Sequence, residues 1–228
     1  MGKIIVGIDE AGRGPLAGPV TACAITILQS SKHEIRNPKR VSNFDIRISD
    51  LKLRDSKQLT PRARDAFYTI LTAHPDVEWG IGQVSEKVID KINIFQATRL
   101  AMKKAVLSLE RKLRNRIEIP LVPQLRDRKR EVPVLVIDSL IIDGNMLLDL
   151  PIAQKAVIRA DATIFLCMAS SIIAKVTRDR LMLRLHKKYP MYGFDRHKGY
   201  GTKLHFAMLK KYGPCPIHRL SFAPCKQD

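Results

Sequence analysis

The sequence is poor in aromatic residues and in acids. Aromatic side chains make up 6% of its 228 residues, and 22 Asp plus Glu stand against 40 Lys plus Arg. The four cysteines, Cys23, Cys167, Cys215 and Cys225, form no CxxC pair. Cys215 and Cys225 flank His218 without a fourth ligand at zinc-finger spacing, which excludes that type of centre and favours free thiols in a reducing compartment. No apolar run approaches the roughly 20 residues of a membrane span. The run from Ile4 to Ile8 is too short for a signal peptide and is followed at once by Asp9 and Glu10. Val6 breaks the myristoylation pattern that Met1-Gly2 would open. These absences predict a cytoplasmic protein with no membrane partner. No repeat, low-complexity tract, heptad or leftover apolar stripe is visible, so a monomer is expected.

What is present is charge of one sign. The formal net charge is +18, and such a surplus draws a protein to polyanions, nucleic acid first among them. Hydrophobic residues make up 45% of the chain, enough to build the core of one large domain without staples.

The pattern along the chain predicts an α/β protein. Ile4 to Ile8 reads as a buried strand, Thr21 to Leu28 as a second, and Trp79 to Val84 as a third. Glycine and proline between the first two mark a turn. Residues 30–54 and 114–132 are basic and aperiodic and read as exposed insertions. Thr60-Pro61 has the form of a helix start. Ile94, Ala97, Ala101, Ala105, Leu109 and Leu113 recur at helical spacing, which predicts a helix over 92–113. An apolar region runs from Val134 to Ile142, a strand from Lys155 to Arg159 and a helix from Ala162 to Tyr189. Thr202 caps a last helix that ends at Gly213. The expected organisation is a sheet flanked by helices over 1–190, with a small helical C-terminal appendage over 191–228.

In so basic a chain, acids at strand ends are informative. Asp9-Glu10 follows the first strand, Asp143-Gly144 follows Leu140 to Ile142, and Asp161 lies between a strand and an apolar helix. Open α/β sheets gather functional groups at strand ends. Carboxylates brought together repel one another, and a hard divalent cation such as Mg²⁺ or Mn²⁺ relieves that cost. Two such ions about 4 Å apart serve phosphodiester hydrolysis. Taken singly, Asp161 also suits a helix cap and Asp143-Gly144 a turn. Asp138, which ends the run from Val134 to Ile137, competes with Asp143 for the third place; Asp143 is preferred. Gly12 to Ala17 fits a dinucleotide fingerprint, but that loop must open a helix, whereas this one leads into a strand. A glycine loop carrying Arg13 beside a carboxylate pair suits close approach to a phosphate.

These residues resemble the type 2 ribonucleases H, the ribonuclease HII family. Gly7 to Val20 matches its opening signature, and Asp55-Ser56-Lys57-Gln58-Leu59 its second segment. Ile142-Asp143-Gly144-Asn145 with Leu150-Pro151 is the third, and Asp161 with Ala169 to Asp179 the fourth. His197 to Thr202, then His218-Arg219 and Ser221 to Pro224, is the fifth. The chain departs from the family at Arg159-Ala160, where Lys-Gly is usual, and in the bulkier stretch from Thr163 to Met168. The resemblance implies an RNase H-like mixed sheet flanked by helices. It implies an endonuclease that cuts the RNA strand of RNA–DNA hybrids, and DNA duplexes at embedded ribonucleotides, leaving 5′-phosphate ends. It maps the catalytic and metal-binding carboxylates onto Asp9, Glu10, Asp143 and Asp161, with two Mn²⁺ or Mg²⁺ ions during catalysis. Gly12, Arg13, Gly14, Lys57 and Tyr200 are then the substrate contacts. Two alternatives remain: a related nuclease acting on DNA alone, and a non-catalytic nucleic-acid binder on the same scaffold.

Overall fold

The computed structural model describes residues 3–28, 59–117 and 135–225. The expected insertion at 30–54, Lys57, and residues 118–132 of the second insertion lie outside the described residues.

Five strands form one mixed sheet. Strand β1 (Ile5–Ala11) runs antiparallel to β2 (Val20–Ile27), which runs antiparallel to β3 (Val77–Val84). On its other side β1 pairs in parallel with β4 (Ser139–Asp143), and β4 in parallel with β5 (Ala153–Val157). The order across the sheet is β3-β2-β1-β4-β5. The helices are α1 (Pro61–Ala73), α2 (Glu86–Arg116), α3 (Ala160–Thr163), α4 (Phe165–Lys188), α5 (Phe194–His197) and α6 (Lys203–Tyr212). Among the described residues no helix is long and apolar enough to cross a membrane.

Local chemistry explains the boundaries. The Thr60 hydroxyl accepts from the Ala63 amide at 3.3 Å, and Pro61 supplies a first-turn residue whose missing N–H costs nothing. Thr202 caps α6 in the same way, accepting from the His205 amide at 3.3 Å. Helix α2 begins six residues before the expected start at 92, at Glu86. It kinks at Asn93, where φ is 65°, and the Asn93 side chain then accepts from the Gln96 amide at 3.0 Å and starts the helix afresh. The pattern from Ile94 therefore reports only the part beyond the kink. The expected helix over 162–189 is two helices, because Ile164 is extended (φ −116°, ψ 117°) between α3 and α4.

The sheet is covered on both faces. On one, Val6, Ile8, Ala22, Ala24, Leu140 and Ile142 pack with Ala97, Ala101, Ala105, Leu109 and Leu113 of α2. Leu109 is fully buried there, and cutting it to Ala would cost about 2–5 kcal/mol. On the other face, Cys23 and Ile25 meet Phe67 and Leu71 of α1 and Ala169, Ile172, Ile173 and Val176 of α4. A Cβ on Gly7 would lie 2.4 Å from Leu166 Cβ. Glycine thus lets the start of α4 rest directly on β1, the strand that carries Asp9.

Residues after α4 turn back onto the loop between β1 and β2. Tyr192, Phe194 and Ile217 bury together with Ala17 and Met182. The amide of Leu16 donates to Gly199 O, that of Gly18 to Ile217 O and that of Arg219 to Leu16 O, each at 2.8 Å.

Candidate active site

Sheet register brings the first two carboxylates together. In the parallel pair, Gly7 stands opposite Ile141 and Ile8 opposite Ile142. One step on, Asp9 and Asp143 are neighbours on strands spaced about 4.8 Å apart. Side chains alternate along a strand. Val6, Ile8, Leu140 and Ile142 enter the α2 layer, so Asp9 and Asp143 emerge on the α4 side. The third acid comes from α3, where the Asp161 amide donates to Asp143 Oδ1 at 3.3 Å. Asp9, Asp143 and Asp161 each offer a carboxylate oxygen within 4.8 Å of the other two. Asp9 and Asp161 are buried. The acids sit within or just beyond the strands: Asp9 and Glu10 belong to β1, and Asp143 is the last residue of β4.

Asp138 lies at the opposite end of the same strand pair. Its Oδ2 accepts from the Ile4 amide at 2.6 Å, and its own amide donates to Ile4 O at 3.0 Å. That carboxylate fastens the start of β4 to the start of β1 and is not in the cluster.

The cluster opens into a cavity of about 440 Å³, lined by Asp9, Glu10 and Asp143, by the Gly12-Arg13-Gly14 loop, and by Ser171, Lys175, Arg64 and Tyr200. Burial, then the charges of Glu10 and Asp143, push the Asp9 carboxyl well above its usual pKa. Burial likewise raises Glu10, against the opposing pull of Arg13, whose Nη1 lies 3.4 Å from Glu10 Oε1. Glu10 Oε2 is buried without a hydrogen-bond partner among the described residues. Carboxylates that resist ionisation, with an oxygen left over, form a donor set suited to a hard divalent cation.

The loop beside them is held from behind by arginine. Arg219 is fully buried; its Nη2 donates to Gly12 O at 2.6 Å and its Nη1 to Arg13 O at 2.8 Å. Its Nε donates to Gly18 O at 3.0 Å. Arg178, also fully buried, donates to Pro19 O, Ala17 O and Lys198 O at 2.9 to 3.0 Å. A trans peptide sets its N–H opposite its C=O. With the Gly12 and Arg13 carbonyls turned back to Arg219, the amides of Arg13 and Gly14 are left on the cavity side. Gly12 has φ 95°, and a Cβ there would lie 2.1 Å from Arg178 Nε, so the position admits no side chain.

Tyr200 reaches the cavity from the C-terminal segment and is 39% exposed. Lys175 Nζ lies 5.2 Å and Arg178 Cζ 5.7 Å from its ring centre. The structure thus brings together eight of the nine expected site residues; the ninth, Lys57, lies outside the described residues. Reading the sequence placed Ser171, Lys175, Arg178 and Arg219 within the matching segments but gave them no role, and it did not mark Arg64. Ser171, Lys175 and Arg178 recur at steps of four and three along α4, one helix face, and that spacing was the available signal. Nothing in the local sequence marks Arg64.

Comparison with known proteins follows the same lines. The family model described as Ribonuclease HII matches residues 6–225. The chain belongs to the ribonuclease HII family. A Ribonuclease HII of Acetivibrio thermocellus is 44% identical over 221 residues, covering 96% of this chain and 70% of the relative. One of Chlamydia caviae is 42% identical over 227 residues, covering 99% and 86%. The crystal structure of ribonuclease H2 from Pyrococcus horikoshii aligns over 97% of this chain and 95% of its own, with a TM-score of 0.62 and 26% identity. Bst-RNase HIII in complex with Mn²⁺ aligns over 98% of this chain and 68% of its own, with a TM-score of 0.60. At 16% identity that likeness concerns the fold alone. The mixed five-stranded sheet with flanking helices is the RNase H-like fold of these neighbours. The protein is a metal-dependent endoribonuclease of the ribonuclease H class, a hydrolase of a family that acts on RNA–DNA hybrids.

Proposed function

We propose that this ribonuclease HII cuts the RNA strand of hybrids, and DNA duplexes at embedded ribonucleotides, giving 3′-hydroxyl and 5′-phosphate ends. The observation that carries this reading is the Asp9, Asp143 and Asp161 cluster beside a glycine loop and a ring of cations in one cavity. Asp9, Glu10, Asp143 and Asp161 are the proposed holders of two Mg²⁺ or Mn²⁺ ions. When bound, such ions supply Lewis acidity at the phosphate and lower the pKa of water.

The chain's own residues do the rest. Arg13, Lys175 and Arg64 offset phosphate charge around the cleavage point, and Lys57 is proposed to join them. The Arg13 and Gly14 amides donate to no backbone carbonyl among the described residues and are placed to donate to a phosphate or a sugar oxygen. Tyr200 lies against the sugar beside them. A 2′-hydroxyl both donates and accepts, which lets such a site tell RNA from DNA. The net charge of +18 predicts duplex docking through phosphates, weakening steeply with salt and largely indifferent to sequence.

The test is cleavage of a labelled DNA duplex carrying one ribonucleotide, with Mn²⁺ or Mg²⁺, then with EDTA, beside an all-DNA duplex and a long hybrid. Metal-dependent cleavage at the ribonucleotide and within the hybrid is expected. Cleavage of the all-DNA duplex would assign a DNA nuclease instead, and tight binding without turnover a scaffold.

A further inference from the structure

Three of the six histidines meet directly behind Tyr200. His197, His205 and His218 are all buried. The His197 and His205 rings stack at 4.4 Å, and His205 Nε2 faces His218 Nε2 at 3.0 Å. The mechanism above uses none of them.

Their hydrogen bonds fix every tautomer. An amide can only donate, and the Cys215 amide lies 2.8 Å from His218 Nδ1, nearer than the Cys215 carbonyl at 3.3 Å; the shorter contact leaves that nitrogen bare and puts the proton on His218 Nε2. A carbonyl can only accept, and Tyr200 O lies 3.0 Å from His205 Nδ1, so that nitrogen carries the proton and His205 Nε2 is bare. Reasoned separately from its two ends, the chain closes: His218 Nε2–H donates to His205 Nε2. His197 is set likewise, with Nε2–H donating to Tyr192 O at 2.8 Å and Nδ1 accepting from the Gly199 amide at 3.2 Å.

We propose that His205 and His218 are positioning residues for Tyr200: they carry a hydrogen-bonded chain from the Cys215 amide to the Tyr200 carbonyl, which holds only while both rings are neutral. The proposal rests on reading Tyr200 as a ribonucleotide contact. The Tyr200 carbonyl accepts from the Thr202 amide at 2.9 Å as well, so His205 is its second donor and the one that ties it to the rest of the C-terminal segment. A proton added to His205 sets N–H against N–H at the central contact, and one added to His218 sets Nδ1–H against the Cys215 amide.

Among the described residues no acidic group acts on either ring, and the acceptor nearest an added proton on His218 is the Cys215 carbonyl, 3.3 Å from Nδ1. The ionisable groups acting on the pair are each other and His197. Around them stand the rings of Tyr192 and Phe194 and the Cys215 backbone. Burial first, with the neighbouring imidazoles adding to it, holds both His205 and His218 down to about 4. A histidine with a depressed folded pKa favours the folded state above its unfolded pKa, about 6.5, and that support is lost as the pH falls through the folded value. Positioning of Tyr200 is therefore intact at neutral pH and fails in the folded protein as the pH falls toward about 4.

The first test is ¹⁵N NMR of the imidazoles in the intact protein at pH 7.5. His205 as the Nδ1–H tautomer and His218 as the Nε2–H tautomer are expected; His205 protonated on Nε2, or tautomers averaging in both rings, overturns the proposal. The second is steady-state cleavage of the single-ribonucleotide duplex. His205→Ala should raise KM roughly tenfold with kcat little changed, the equivalent of one lost hydrogen bond. His205→Asn, whose amide can stand in for Nδ1–H, should restore KM and remove the rise in KM that the native enzyme shows as the pH falls toward about 4. An Asn variant no better than Ala overturns the proposal. Tyr200→Ala separates the two layers. If it leaves KM unchanged, the reading of Tyr200 fails. If it raises KM and its effect adds fully to that of His205→Ala, the reading of Tyr200 stands and the positioning proposal fails.

Discussion

Two buried clusters of like charge lie back to back across the loop of residues 12–19. On the cavity side are the carboxylates of Asp9, Asp143 and Asp161 with Glu10 beside them. Behind the loop are the guanidiniums of Arg178 and Arg219, both fully buried. Burial depresses Arg178, and it brings Arg219 down to about 9, helped by the Arg178 charge. Both clusters are strained by their own repulsion, yet they end differently. The arginines spend their donors on backbone carbonyls from Gly12 to Pro19 and on Lys198. Among the described residues, Glu10 keeps an oxygen with no hydrogen-bond partner. A like-charge cluster whose hydrogen bonds close on the protein itself is architecture; one left open is prepared for something the chain does not contain.

The comparison predicts opposite responses to neutralisation. Asp9→Asn should lower hybrid cleavage by at least roughly a thousandfold, the scale of losing a group that stabilises the transition state. In EDTA the same variant should melt higher than the native protein, because it removes a buried charge that its neighbours resist; each kcal/mol gained is worth roughly 2–4 °C in a chain of this size. Activity assays with calorimetry in EDTA check both. A lower melting temperature would mean that the acids are satisfied within the protein and the contrast is false. Arg219→Met should lower stability instead. It strips donors from the Gly12, Arg13 and Gly18 carbonyls, at about 1–3 kcal/mol for each one left unsatisfied. Denaturant unfolding should show the loss, and activity should fall with it as the loop loosens.

The contrast between the clusters also shows how far sequence carries. The acids were legible because a charge against the prevailing sign, next to a buried apolar run, is unusual in a chain with 40 basic residues. Arg178 and Arg219 were hidden for the same reason: among so many cations, burial cannot be read from residue type. Element types were legible from period and capping residues, as Thr60 and Thr202 show. The kink at Asn93 and the break at Ile164 were not, since each depends on backbone dihedrals that helical periodicity does not record. That Asp9 and Asp143 are neighbours comes from the parallel register of β1 and β4, a pairing across more than 130 residues that no local pattern encodes.

The finest test of the contrast uses two aspartates on either end of one strand. Asp138 and Asp143 are five residues apart and flank β4, and from sequence both were candidates for the third carboxylate. Asp143 lies among acids. Asp138 is exposed and accepts from the Ile4 amide at 2.6 Å, a bond that an asparagine Oδ1 can still accept. Asp138→Asn should therefore keep cleavage near the native rate and change unfolding stability by less than about 1 kcal/mol. Asp143→Asn should abolish cleavage with no loss of fold. If both variants lost activity alike, the ends of the strand pair would be coupled and Asp138 would be more than a fastening. If only Asp138→Asn lost it, the third carboxylate would have been placed at the wrong end of β4.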